Sequence, residues 1–543
     1  MPYTAHIDTF AADNLPPLQL QPEYLFELPE LQYPERLNCA VELLDKHVLE
    51  GRGDRLCVQA EGVRWTYAEL QDKANRIANV LTQHLGMVPG NRVLMCSPNN
   101  PMMVATWFGV IKAGGIAVSA MPLLRAKELS AIIDIGQISH ALCDDALRAE
   151  VLGAQEKTST LKQVLFYNPR SAEAAARSDS LEALMAKTSN QFTAVDTSAT
   201  DTCLLGFTSG TTGVPKATMH FHRDVMSICH CWPKYVLQAN ADDIFIGSPP
   251  VAFTFGLGGQ VLFPMAIGAS MALLEKAGPH QLVEGIEKFG ATVLFTAPTS
   301  YRVMAGYGER LRSSNLRKCV SAGEALNAST RNMWKEATGI EIIDGIGSTE
   351  MLHIFISHRE DEARPGATGK AVPGYKAKVV DDAGNEVPPN TVCKLAVQGP
   401  TGCRYLNDSR QTKYVSGGWN LTGDAYLMDE DGYFVYQART DDMIISAGYN
   451  IAAPEVEDAL QAHPMVAECA VIGVPCPERG QIVKAFIVLR AGATPDEAMV
   501  KTLQDFVKQT VAPYKYPRAV EFVTQLPRTA TGKLQRFRLQ NDA

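Results

Sequence analysis

Two hydrophobic periods alternate along most of this chain, and that alternation restricts its fold more than any other feature. Short runs rich in Val, Ile and Leu, such as "RVLMC" (92–96), "TVLFT" (292–296) and "KCVSA" (318–322), are separated by segments with helical spacing. A strand that is apolar along its whole length must be covered on both faces, and helices between successive strands supply that cover, so the pattern predicts parallel α/β sheets. At 543 residues the chain is long for one compact core, and 46% hydrophobic with 20% charged residues is ordinary for a folded globular protein.

The clearest boundary lies at "YFVYQARTDDMIISAGYN" (433–450), beyond which the chain restarts as a small α+β unit. Pro454 suits the first turn of a helix, "ECAVIGVP" and "KAFIVLR" read as strands, and Met499, Leu503, Phe506 and Val507 share a helix face. The expected architecture is therefore α/β: a large N-terminal domain of several subdomains over residues 1–440 and a small α+β C-terminal domain over 441–543.

A formal net charge of -9 argues against nucleic acid as the main partner. Twelve Cys at scattered positions suggest reduced thiols and a cytoplasmic setting. The cluster Cys229-His230-Cys231, with His220 and His222 upstream, lacks a second ligand pair at zinc spacing, so no metal is expected there. Ile244 to Leu274 carries no formal charge, yet Pro249, Pro250, Pro264, Gly256, Gly258 and Gly259 suit a buried loop, helix and strand better than a membrane span. "MPYTAHIDTF" has neither a basic nor an apolar leader region, so secretion is not expected.

The stretch "LLGFTSGTTGVPKATMH" (204–220) follows an apolar run. Gly210 and Gly213 let successive backbone N–H groups turn inward, the hydroxyls of Thr208, Ser209, Thr211 and Thr212 add donors, and Lys216 adds a positive charge. The result is a nest for phosphate oxygens whose spacing differs from the G-x-x-x-x-G-K-[ST] loop. A flexible polar surface loop is the alternative on these residues alone.

The stretch resembles the phosphate loop of the acyl-adenylate-forming superfamily, which includes acyl-CoA synthetases, luciferases and peptide-synthetase adenylation domains. Further matches follow in the family's order: "SAGEAL" (321–326), "DGIGSTE" (344–350), "LTGD" (421–424), "ARTDDMIISAGYNI" (438–451) and "PRTATGKLQR" (527–536). The resemblance implies that a carboxylate attacks the α-phosphate of ATP, pyrophosphate leaves, and a thiol then opens the acyl adenylate with AMP as leaving group. It implies that Thr208 to Lys216 hold the leaving phosphates, that Glu350 binds Mg2+, that Thr349 meets the α-phosphate, and that Asp424 and Arg439 contact the ribose. Gly323, Glu324, Ala325 and Asp344 would line the adenine pocket. Lys533 would be the catalytic lysine that stabilises charge during adenylation. The family's small domain is mobile; Asp441 matches its hinge, and Gly448 would face the pantetheine tunnel of CoA.

For the acid, Phe253, Phe255, Gly256, Ala297, Ile346, Gly347 and His353 are the expected pocket. Phe253 stands where many acyl-CoA synthetases have His, and Ile346 where they have Tyr or Trp, so the pocket is more apolar and suits a flat ring. "DGIGSTEMLHIF" is most similar to benzoate-CoA ligases and their 2-aminobenzoate relatives. The implied activity is an aryl-CoA ligase using ATP, Mg2+ and CoA, with no nucleic-acid or membrane partner and the homodimer left open. An enzyme that loads its aryl adenylate onto a carrier protein is the second reading; with no carrier domain in this sequence, free CoA is the expected acceptor. A non-catalytic ligand sensor is the third, disfavoured by the presence of Lys533, Glu350 and Asp424.

Overall fold

The computed structural model describes residues 3–209, 214–440, 443–446, 449–476, 479–511, 513–528 and 534–541. The chain divides into two compact units, Met1–Ala377 with Val397–Asn420, and Lys378–Ala396 with Leu421–Ala543.

In the first unit the apolar runs become buried parallel strands. A six-stranded sheet is ordered Gln163–Tyr167, His140–Asp144, Arg92–Cys96, Ile116–Ala120, Thr202–Ser209, Pro215–Phe221, parallel throughout except for the final antiparallel hairpin. Every residue of Arg92–Cys96 is buried, including Arg92. Its guanidinium is tolerated there because Asp8 and the carbonyls of Gly90, Gly136 and Gln137 accept its hydrogen bonds. Leu94, Val118, Leu129, Ile133 and Val151 are among the apolar side chains of the core built on this sheet.

The second, nine-stranded sheet of this unit contains the neighbouring parallel strands Ile342–Gly347, Lys318–Ser321, Val293–Thr296 and Ile244–Gly247, in that spatial order. Its own core includes Ile246, Leu294, Tyr301, Trp334 and Ile342. The uncharged stretch after Ile244 forms Ile244–Gly247, a series of short helical segments from Thr254 to Ile267, and the strand Ser270–Ala272. No described helix is long and apolar enough to cross a membrane.

The strand Trp419–Met428 enters the second unit at Leu421 and there pairs antiparallel with Phe434–Arg439, so that Asp424 lies opposite Arg439. The unit's other sheet is ordered Tyr449–Ala452, Met443–Ser446, Gly480–Leu489, Val466–Cys476, with Ala519–Phe522 paired parallel to Gly480–Leu489. The helix expected at Pro454 is Ala453–Gln461, and the one expected through Met499 is Glu497–Thr510, capped by the Asp496 carboxylate accepting from the Met499 N–H. Val456, Leu460, Leu503 and Val507 from these helices pack with Val471 and Ile487 of the strands.

Candidate active site

Four sequence-predicted segments lie at matching places in the nine-stranded sheet. Phe253 follows the strand Ile244–Gly247, Ala297 follows Val293–Thr296, Gly323 follows Lys318–Ser321, and Ile346 and Gly347 end Ile342–Gly347. These strands are adjacent and parallel, so all four segments emerge from the same edge, the carboxyl ends. That edge is where α/β sheets bind ligands, because the connecting loops there are free of the sheet's hydrogen-bond ladder.

The phosphate-loop candidate is the tip of the hairpin Thr202–Ser209 and Pro215–Phe221, whose register sets Thr208 opposite Lys216 and Ser209 opposite Pro215. Gly210, Thr211, Thr212 and Gly213 lie outside the described residues. Among the described residues the buried Thr208 hydroxyl has no hydrogen-bond partner, which suits a group that is to meet a ligand. Lys216 reaches the strand-end turn of the other sheet: its Nζ is 2.8 Å from Glu350 Oε1. The Tyr405 hydroxyl donates to the same Oε1 at 2.5 Å, and Lys216 also donates to the Tyr405 oxygen. Lys216 Nζ lies 4.4 Å from the Tyr405 ring centre and 5.6 Å from that of Tyr414.

Burial alone would raise the carboxyl pKa of Glu350, but the charge of Lys216 and the bonds from Lys216 and Tyr405 hold it below its ordinary value. Glu350 is thus a buried, ionised oxygen donor. Burial and then the neighbouring Glu350 charge raise the Tyr405 phenol, which keeps it a proton donor. Oxygen from an ionised carboxylate is what a hard divalent cation selects, so Glu350 fits the role expected of it with Mg2+.

Thr349 is fixed from behind. His220 Nε2 donates to the Thr349 carbonyl at 2.8 Å, and His220 Nδ1 lies 3.8 Å from Asp224 Oδ2. That oxygen accepts from Arg404 at 2.6 Å, in an ion pair whose two side chains are fully buried. Although burial opposes it, Arg404 and His220 hold the Asp224 carboxyl down at about 2. Gly206 explains why the hairpin can lie against this turn, since a Cβ there would stand 2.6 Å from Thr349 Cγ2. The chain then makes a tight turn in which the buried Leu352 adopts φ +68, a conformation unusual for a residue with a side chain.

Among the acid-pocket candidates, Phe255 and His353 approach one another, with ring centres 5.8 Å apart. Phe263, Phe295 and Trp232 complete an aromatic group around them: Phe263 meets His353 at 4.4 Å, Phe295 meets Phe255 at 5.7 Å, and Trp232 meets His353 at 5.9 Å. The His353 ring lies against the Phe255 backbone, whose effect only partly opposes burial, and burial lowers its pKa to about 3, so the ring is neutral. Gly256 is required where it is, because a Cβ would lie 2.1 Å from the Pro250 carbonyl oxygen. Phe253, Ala297 and Ile346 are partly buried at their strand ends, and Gly347 is exposed.

Gly323, at φ +88, and Ala325 are exposed, and Glu324 is partly buried; all three are in the loop after Lys318–Ser321. Asp344 pairs with Ser321 across the two strands. Among the described residues its buried Oδ1 has no geometric hydrogen-bond partner, and burial, only partly offset by Arg331 and the nearby Ser321 hydroxyl, pushes its carboxyl up to about 7. In the second unit, Arg439 Nη1 donates to Asp424 Oδ1 at 2.8 Å, and Gly423 (φ +77) leaves room for that guanidinium. Lys533, Asp441 and Gly448 lie outside the described residues.

Sequence reading missed Tyr405, Arg404, His220 and the Phe263–Phe295–Trp232 wall as parts of this site. Of the Cys/His cluster, His222 joins Cys39 and Cys203 instead of its sequence neighbours, with the three ligand atoms within 4.8 Å of one another. The His222 Nδ1 already accepts the Cys39 N–H at 3.2 Å. His230 stacks on Tyr33 and shares a 3.0 Å hydrogen bond with its hydroxyl.

Residues 45–404 match the AMP-binding enzyme family, and residues 455–533 match the AMP-binding enzyme C-terminal domain. The chain belongs to the AMP-binding enzymes. This AMP-binding enzyme is 35% identical over 519 residues to the benzoate–CoA ligase of Thauera aromatica, covering 94% of this chain and 97% of that protein. Its fold superimposes on the anthranilate CoA ligase AuaEII, solved in complex with anthranoyl-AMP, with a TM-score of 0.87 at 33% identity over 95% of this chain and 99% of that one. It is likewise similar to a benzoate CoA ligase from Burkholderia xenovorans LB400, with a TM-score of 0.84 at 31% identity over 93% of this chain and 100% of that one.

Proposed function

We propose that the protein is an AMP-forming aryl-CoA ligase that converts benzoate or 2-aminobenzoate to its CoA thioester through an aryl adenylate. The observation that carries this reading is the joining of Lys216, Glu350 and Thr349 across the two sheets, with Glu350 three residues before a neutral His353 whose ring meets Phe255 of the helix Thr254–Leu257. The benzoate and anthranilate ligases that it resembles along nearly its whole length support the choice of acid.

In this reading Thr208, Ser209, the loop 210–213 and Lys216 receive the β- and γ-phosphates, and Thr349 donates to the α-phosphate. Glu350 holds Mg2+, which when bound neutralises phosphate charge. Asp424 accepts the ribose hydroxyls beside Arg439, while Gly323, Glu324, Ala325 and Asp344 border the adenine. Phe253, Phe255, Gly256, Ala297, Ile346, Gly347 and His353 hold the ring apart from water. Lys533 stabilises the charge that passes between carboxylate and phosphate, and once it withdraws about Asp441 the thiol enters past Gly448. Positioning and charge neutralisation account for most of the acceleration of such a displacement.

The test is to incubate the purified protein with ATP, Mg2+ and CoA plus benzoate, 2-aminobenzoate or a straight-chain fatty acid, and to identify the thioester by mass spectrometry. The expected result is an aryl-CoA with one equivalent of AMP and little product from the fatty acid. Preferential formation of the fatty acyl-CoA would overturn the proposed acid, and AMP formation without any thioester would overturn CoA as acceptor.

A further inference from the structure

Glu350 Oε1 accepts two different donors, an ammonium from Lys216 and a neutral phenol from Tyr405. These donors differ in how firmly they are held. Lys216 is at the base of the phosphate loop on a long flexible side chain, and it is partly buried. Tyr405 is buried, its ring lies edge-on to Tyr414 at 5.8 Å, and its N–H donates to Gln411 Oε1 at 2.8 Å. Its backbone is tied to the strand that carries Lys216, since the Met219 N–H donates to Arg404 O and the Leu406 N–H to Ala217 O. Tyr405 holds the Glu350 side chain, while its neighbour Arg404 pairs with Asp224, and His220, 3.8 Å from that carboxylate, donates to the Thr349 carbonyl of the same turn.

We propose that Tyr405 is a positioning residue for Glu350: its hydroxyl keeps the carboxylate aimed while Lys216 turns to the nucleotide phosphates and a divalent cation takes over as counter-charge. A buried carboxylate that lost Lys216 with no other donor would be free to reorient. The phenol holds it in place without adding a charge that would repel the cation. Groups that orient a ligating carboxylate in this way typically contribute about 10–100-fold to metal affinity. The inference rests on the reading of Glu350 as the metal-binding carboxylate.

The test measures free Mn2+ by electron paramagnetic resonance in titrations of the full chain with a non-hydrolysable ATP analogue. Tyr405→Phe keeps the ring that faces Lys216 and removes only the hydroxyl. The expected result is a loss of about tenfold in Mn2+ affinity, with the metal-free affinity for the analogue unchanged. Mn2+ affinity within twofold of wild type, or a loss matched by the metal-free nucleotide affinity, would overturn the proposal. Installing 4-fluorophenylalanine at position 405, which fills the space of the hydroxyl without a donor, gives an independent reading if the Phe variant does not fold: a loss of about tenfold in Mn2+ affinity supports the proposal and wild-type affinity overturns it. If the wild-type chain itself binds the analogue with no metal dependence, the assignment of Glu350 fails, and the role of Tyr405 fails with it.

Discussion

At Asp344 burial outweighs the nearby Arg331 guanidinium, and the carboxyl rises from its ordinary 3.8 to about 7. A raised carboxyl pKa means that folding favours the protonated form. Its contribution to stability is complete below about pH 4 and is lost as the pH rises through 7. Asp344→Asn removes that dependence, so its stability relative to wild type should increase from pH 5 to pH 8 by on the order of 2–4 kcal/mol. Thermal unfolding at the two pH values checks this, and an equal difference at both would contradict it. The identity of Asp344 was legible from "DGIGSTE", but its ionisation was not, because that depends on burial and on Arg331 and Ser321 from other segments. Tyr405 shows the same limit more strongly. It meets Glu350 across 55 residues and Lys216 across 189, and nothing in "GCRYL" announces either contact.

The elements that build the site were largely legible, since buried parallel strands leave continuous apolar runs such as "RVLMC" and helices leave a spaced apolar face. What the sequence does not display is how closely two elements approach. Gly206 is an instance: nothing in "LLGFTSG" sets it apart, yet it lies within a strand, opposite Thr218 and against Thr349 Cγ2. A methyl group there must displace the Thr349 side chain, the hairpin or the turn that carries Thr349 and Glu350. Gly206→Ala should therefore leave the chain folded and lower the adenylation rate by about a hundredfold, the usual consequence of misplacing a reacting group by roughly 1 Å. A rate within threefold of wild type, measured by pyrophosphate release, would show that the turn yields without consequence. His353 is the converse case. It was legible as a residue three positions after Glu350, whereas the aromatic wall around it comes from Trp232, Phe263 and Phe295 on separate elements.

At the scale of the whole molecule, ordered motifs from Thr208 to Arg536 gave the family because each one serves the same two-step chemistry, and the family match at 45–404 and 455–533 covers most of that span. The compact units meet along the chain at Asn420 and Leu421, so Asp424 and Arg439 belong with the C-terminal residues. No composition shift marks that point, because the strand Trp419–Met428 runs through it. The proposal gives Lys533 to the first half-reaction alone. Lys533→Ala should lower adenylation by about a hundred- to a thousandfold while still turning a supplied aryl adenylate and CoA into thioester. Equal loss of both half-reactions would contradict that division. The central claim, that this chain transfers the adenylyl group of ATP to an aromatic acid, is tested most directly by exchange of radiolabelled pyrophosphate into ATP with CoA omitted. The account predicts rapid exchange that depends on benzoate or 2-aminobenzoate and is abolished in Lys533→Ala; absence of acid-dependent exchange in the wild-type protein would contradict it.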